Sequence, residues 1–167
     1  YTYTFSQRES QGNWASAEWT KTRIIGKPLG HFATKLLGVI YSDSAVLGVY
    51  QRESYGNRTY ISWLADTTAR GIKGGMVTNH QIVLYSDTTA HAFYQRESQG
   101  SRSYASWLKT SLKGKLVSVE ASAHLSSVVT SEAIYYFHQR QSQGNYSTGY
   151  WYSVALRGNL RGQRRAK

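Results

Sequence analysis

Cysteine is absent, which excludes a disulfide framework and any thiolate metal site. The compartment stays open, because 167 residues can bury an adequate core without staples. A secreted or extracellular setting is slightly favoured. No apolar run approaches membrane-spanning length, with Leu36 to Tyr41 among the longest, so no transmembrane helix is expected. The sequence opens at Tyr1 with neither Met nor a signal-peptide pattern, as a processed chain or an excised segment would.

Acidic residues are scarce. Nine Asp and Glu face twenty Lys and Arg, a net charge of +11. The excess gathers late: residues 89–167 carry eleven basic residues against three acidic ones. Five of those eleven (Arg157, Arg161, Arg164, Arg165 and Lys167) form a basic tail over about 157–167. Such a field favours anionic partners, whether nucleic acid, acidic glycan or phospholipid headgroups, without choosing among them. The plainer reading is a solvated tail. Signatures of catalysis are also missing. None of His31, His80, His91, His124 and His138 falls at metal-ligand spacing, and no nucleophile elbow, phosphate loop or dinucleotide fingerprint occurs. Two carboxylates from neighbouring repeats could in principle hydrolyse a glycoside, but no enzyme is expected here, nor any cofactor or metal.

What is present is a phrase said four times. Gln7-Arg8-Glu9-Ser10-Gln11-Gly12-Asn13 returns at Gln51 to Asn57, at Gln95 to Ser101 and at Gln139 to Asn145. The period is 44 residues each time, and Trp19, Trp63, Trp107 and Trp151 follow at one fixed offset. An internal repeat must therefore organise the fold. Fourteen Tyr and five Trp, with many Thr, Ser and Val, suit pleated surfaces, while one Pro and fifteen Gly suit hairpins more than long helices.

The third copy reads most clearly. Thr89 to Glu97 alternates, with His91, Phe93, Gln95 and Glu97 on one face and Ala90, Ala92, Tyr94 and Arg96 on the other. Ser98 to Ser101 makes a turn whose Gly100 admits positive φ, and Gly12, Gly56 and Gly144 hold the same place. Arg102 to Leu108 returns as a strand. Further strands are expected at Leu116–Val119 and Leu125–Thr130, at Gly75–Thr78 and Ile82–Tyr85, and at Leu37–Tyr41, with polar turns at Ser42–Ser44 and Ser86–Thr88. A helical alternative exists over His31–Ile40 and Glu120–Val129, but strand is preferred.

The expectation is one all-β domain of four tandem 44-residue antiparallel repeats: 1–44, 45–88, 89–132 and a truncated 133–167. They would close into a small four-bladed propeller-like body or a barrel-like one. The fourth repeat lacks a counterpart of Ile82–Tyr85, so that strand is absent, unnecessary or supplied by another chain. A homo-oligomer built through the incomplete repeat follows from the last option.

Two readings of the repeated polar residues stay open. Arg8, Arg52, Arg96 and Arg140 could bridge Glu9, Glu53 and Glu97 of adjacent repeats, with Gln141 as a neutral member. Alternatively each hairpin mouth binds ligand through Gln7, Arg8, Glu9 and Asn13; Gln51, Arg52, Glu53 and Asn57; Gln95, Arg96, Glu97 and Ser101; or Gln139, Arg140, Gln141 and Asn145. Donors and acceptors beside an aromatic face suit sugars, and four weak sites on one body suit avidity. The expected function is therefore a multivalent, non-catalytic carbohydrate-binding protein with glycan or glycoprotein partners. The alternative is a basic protein that binds nucleic acid or another acidic polymer. The repeated Trp residues are expected in the core. Trp14, Tyr146, Tyr50, Tyr60, Tyr94, Tyr104 and Tyr150 are the candidates for exposure.

Overall fold

The computed structural model describes residues 1–55, 57–122 and 125–156. Gly56, His124 and the basic tail from Arg157 lie outside the described residues. The rest is all β: fourteen antiparallel strands in one sheet, with no helix among the described residues. Strand, as preferred from the sequence, occupies 31–33 and 37–40 in the first of the two stretches that also allowed a helix, and 120–121 and 125–129 in the second.

Each copy of the phrase ends the first strand of a long hairpin. These hairpins are β1 (Thr2–Ser10) with β2 (Asn13–Thr22), and β5 (Val46–Ser54) with β6 (Asn57–Asp66). The other two are β9 (Thr89–Ser98) with β10 (Ser101–Ser111), and β13 (Ala133–Ser142) with β14 (Asn145–Ala155). Short hairpins alternate with them: β3 (Pro28–Ala33) with β4 (Leu37–Ser42), β7 (Gly74–Val77) with β8 (Gln81–Tyr85), and β11 (Leu116–Ala121) with β12 (Leu125–Thr130).

The long turns explain the Gln-Gly pair. Gln99 and Gly100 both have positive φ (49° and 75°), as do Gln11 with Gly12 and Gln143 with Gly144. Two successive left-handed residues define the tight turn whose twist matches a right-twisted hairpin. Glycine takes that conformation freely; glutamine does so at some cost. The turns that lead from each short hairpin into the next long one use hydroxyls instead. Ser42, Ser86 and Thr130 each accept backbone N–H bonds from residues two and three positions ahead.

Two features differ from the sequence expectation. The sheet does not close: the path runs β11-β12-β13-β14-β9-β10-β5-β6-β1-β2 and leaves both ends open. In the backbone ladder, adjacent long hairpins pair only near their tips, at Glu9–Arg58, Glu53–Arg102 and Glu97–Tyr146, and among the described residues no such pair joins the last hairpin to the first. Second, each short hairpin pairs with the long hairpin that follows it, through β4–β5, β8–β9 and β12–β13. The fourth phrase therefore has its two supporting strands. The long hairpin without them is β1–β2.

The core lies between these meanders. Leu37, Val39, Val46 and Tyr50 pack on Ile82, Leu84, Phe93 and Ala105. From the other side of the same central strands, Met76, Val83, Ala92 and Tyr94 pack on Val128, Tyr135 and Phe137. Strand β9 is thus covered on both faces, and Ala90 to Gln95 are all buried. That is why Tyr94, expected outside, lies inside; Tyr50, also expected outside, is buried on β5 against Phe93. Tyr104 and Tyr150 are exposed as expected, and Tyr60 is half-buried.

His91 is fully buried and ties the second long hairpin to the third. Its Nδ1 donates to Asp66 Oδ2 at 2.8 Å, so its neutral Nε2 accepts from Thr89 Oγ1 at 3.1 Å. Burial pushes the His91 pKa down; Asp66 opposes that and Lys109 adds to it. Burial alone would raise Asp66, but hydrogen bonds from Thr68 and His91 outweigh it and lower the carboxyl. Both shifts act in one direction. Below pH about 6.5 the unfolded chain takes up the imidazole proton that the folded chain resists, so stability falls with pH; Asp66 adds a further loss below its ordinary 3.8. Thermal melting should therefore decline as the pH is lowered from 7 to 5. In His91→Asn, which keeps an amide donor toward Asp66, that component of the slope should vanish.

Candidate functional site

The polar phrase does three separate jobs near the hairpin tips. Its glutamines form a ladder across the hairpins. Gln95 Nε2 donates to the Gln51 carbonyl and to the Ser103 carbonyl of its own hairpin, both at 2.8 Å. Gln139 repeats this toward Gln95 and Ser147 at 2.9 and 3.0 Å, and Gln51 toward Gln7 and Thr59 at 3.3 and 3.2 Å. Each own-hairpin acceptor sits where the returning strand carries one extra residue, a bulge visible as the register shift between Gln51 and Glu53 and its equivalents. A buried carbonyl freed by a bulge needs a donor, and the glutamine amide supplies it.

The residue after the turn clamps tip to tip. Gln11 N donates to Asn57 Oδ1 at 2.6 Å, and Gln99 N to Asn145 Oδ1 at 2.5 Å. Ser101 holds the corresponding place on the third hairpin, with its hydroxyl buried and unpartnered among the described residues. Asn13, on the first hairpin, is exposed.

The charged residues do not form the bridges expected between the phrase arginines and glutamates. The glutamates pair with Arg58 and Arg102 rather than with the phrase arginines. Arg58 lies between Glu9 at 3.5 Å and Glu53 at 3.9 Å, and Arg102 reaches Glu97 at 3.3 Å. The bulge sets this pattern by bringing Arg58 and Arg102 opposite the glutamates in the ladder. The phrase arginines instead cross to the next tip: Arg8 covers the Tyr60 ring at 5.1 Å and Arg52 the Tyr104 ring at 4.4 Å. Thr148 stands where the next tyrosine would be, one period after Tyr104, and Arg96 and Arg140 are exposed. Gln141 is exposed beside them.

Between adjacent tips lie clefts of one design. The larger, about 580 Å³, is lined by Arg96, Glu97, Ser101 and Arg140 with Asn145 and Tyr146. The second, about 400 Å³, lies between the previous pair of tips and includes Arg52, Glu53, Ser101, Arg102 and Tyr104. Their linings superpose through the 44-residue period: Arg52 onto Arg96, Glu53 onto Glu97, Ser101 onto Asn145. No protein-family model matches the chain, and no curated protein matches it. The clefts are therefore read from their own geometry.

Two residues that line the larger cleft, Glu97 and Tyr146, are braced by a side chain from outside the phrase. The His80 ring, from the β7–β8 turn, stacks on Tyr146 at 4.1 Å and lies 3.5 Å from Glu97. This buries Tyr146, which the sequence reading had placed outside, and burial together with the Glu97 charge raises its phenol pKa against Arg102. The usable signal was spacing, since His80 and His124 stand one period apart. Trp14, by contrast, is exposed as expected. Among the described residues no three His, Asp or Glu side chains converge as a metal site.

Proposed function

We propose that the chain is a non-catalytic, multivalent, lectin-like protein that holds glycans or glycoproteins in the clefts between neighbouring hairpin tips. The observation that carries this reading is the duplication of one cleft at one period, each copy offering guanidinium, carboxylate, hydroxyl and aromatic groups. A sugar hydroxyl both donates and accepts, so it engages arginine, glutamate and serine at once, while its C–H face covers a ring such as Tyr104. A shallow site of this kind binds weakly. Repetition on one rigid sheet raises the avidity of a branched or repeating ligand without any new contact.

The side chains of Gln51, Gln95, Gln139, Asn57 and Asn145 are engaged in holding the tips together, so the contacts fall to Arg96, Arg140 and the tyrosines. Binding on a glycan array and hemagglutination blocked by free sugar are the expected results; a blank array removes the reading. Joint replacement of Arg96 and Arg140 by alanine should weaken binding by roughly tenfold or more, the loss of charge-assisted bonds. The melting temperature should stay unchanged, because neither arginine has a carboxylate partner among the described residues. That same lack of a partner favours an acidic polymer as the second reading. It requires binding to fall steeply with salt through counterion release. A flat salt response with sugar inhibition decides for the glycan.

A further inference from the structure

We propose that copies of this chain assemble head to tail, the exposed face of β1–β2 on one copy docking against the exposed face of β13–β14 on the next. The inference is independent of the ligand. It rests on the interface that the chain already makes with itself between successive long hairpins.

That interface is directional. The later hairpin contributes a glutamine amide, an indole N–H and an asparagine oxygen. The earlier one contributes a glutamine carbonyl, a strand carbonyl and a turn N–H. Thus Gln95 donates to Gln51 O, Trp107 Nε1 to Leu64 O and Trp151 Nε1 to Leu108 O, while Gln11 N and Gln99 N donate to Asn57 and Asn145. On the first hairpin the later-type groups are Gln7, Trp19 and Asn13, and none of their side chains has a hydrogen-bond partner among the described residues. On the last hairpin the earlier-type groups are the carbonyls of Gln139 and Tyr152 and the amide of Gln143. One period separates Leu64, Leu108 and Tyr152.

Apolar surface follows the same rule. Phe93 and Phe137 are fully buried against the preceding hairpin, whereas Phe5, their counterpart, is 53 % exposed and Trp19 70 %. Tyr3 flanks them, also exposed. At the other end Tyr150, Tyr152 and Val154 are uncovered, with the His138 and Tyr152 rings 6.3 Å apart. Two apolar faces with complementary donors and acceptors, at opposite ends of one array, make a heterologous contact that propagates. A second copy is the occupant because its last hairpin presents the groups that β1–β2 would meet on a preceding hairpin.

The tip pairs Glu9–Arg58, Glu53–Arg102 and Glu97–Tyr146 continue, by one more period, to Gln141 of one copy opposite Trp14 of the next. Cross-strand partners lie within disulfide reach, and the chain has no cysteine of its own to interfere. Both positions are exposed, so the variants should fold. Under mild oxidation a mixture of Trp14→Cys and Gln141→Cys chains should give covalent dimers that neither gives alone. The double variant should give a ladder of oligomers. An internally bridged monomer, or dimers from one variant alone, would overturn the proposal. Sedimentation supplies the second measurement: unmodified chain should gain mass with concentration, and Trp19→Ala should weaken association by roughly thirtyfold, the effect of losing a central interface indole. A chain that stays monomeric throughout, as it would if some other partner covered this face, overturns it too.

Discussion

Phe93→Ala should cost about 3–5 kcal/mol of stability, the penalty of emptying a closed aromatic site. On a chain of this size the melting temperature would drop on the order of 10 °C. The ring is fully buried, 4.6 Å from Trp107 and 6.3 Å from Tyr50 by ring centroids, and it lies on Gly48. A β-carbon built at Gly48 would come within 2.5 Å of the ring, so the ring lies directly on the backbone there, and Gly48 has no side chain that could fill the hole. The comparison that makes the result informative is Phe5→Ala. Phe5 holds the same place in the repeat and touches Trp19 at 5.3 Å, yet no hairpin covers it. In dilute solution, with copies apart, its loss should stay within about 1 kcal/mol, as for other surface changes. Equal costs in urea unfolding would mean that packing between hairpins does not hold this fold.

The contrast between Phe5 and Phe93 also marks what could be read from the residues alone. Alternation located the strands, because one residue in two must face a neighbouring layer. The Gln-Gly turns were legible because few residue pairs accept two positive φ angles in succession. Burial on both faces was not legible. His91 and Phe93 alternate with Ala90, Ala92 and Tyr94 as in a strand with one wet face, and only the stacking of meanders on each side covers both. Closure failed for a related reason. A period fixes how each unit meets the next, but not whether the accumulated rotation brings the last unit back to the first. The candidate site fared similarly. Naming Arg96, Glu97, Ser101, Arg140 and Asn145 placed attention on the larger cleft. The division of labour within the phrase depends on a one-residue bulge, which shifts Arg58 and Arg102 onto the glutamates and leaves no trace in composition.

Gln95→Leu should destabilise the chain by roughly 2–4 kcal/mol, because two half-buried carbonyls, of Gln51 and Ser103, lose their donor together. Leucine preserves most of the volume, so a cavity contributes little and the hydrogen bonds dominate. Gln95 Oε1 is itself buried without a partner among the described residues, and removing that acceptor offsets a part of the cost. The net effect still exceeds that of Gln7→Leu, since Gln7 is only half-buried and has no preceding hairpin to reach. With copies apart, the Gln7 variant should lie within about 0.5 kcal/mol of the parent. Urea unfolding with an unchanged denaturant slope is the appropriate readout, because an altered slope would signal a changed denatured state instead. The pair of variants decides why the phrase begins with glutamine. A large loss at Gln95 with glycan binding intact assigns the residue to the joint between hairpins. A stable Gln95→Leu that no longer binds would return it to the ligand and leave the bulge carbonyls to be satisfied some other way.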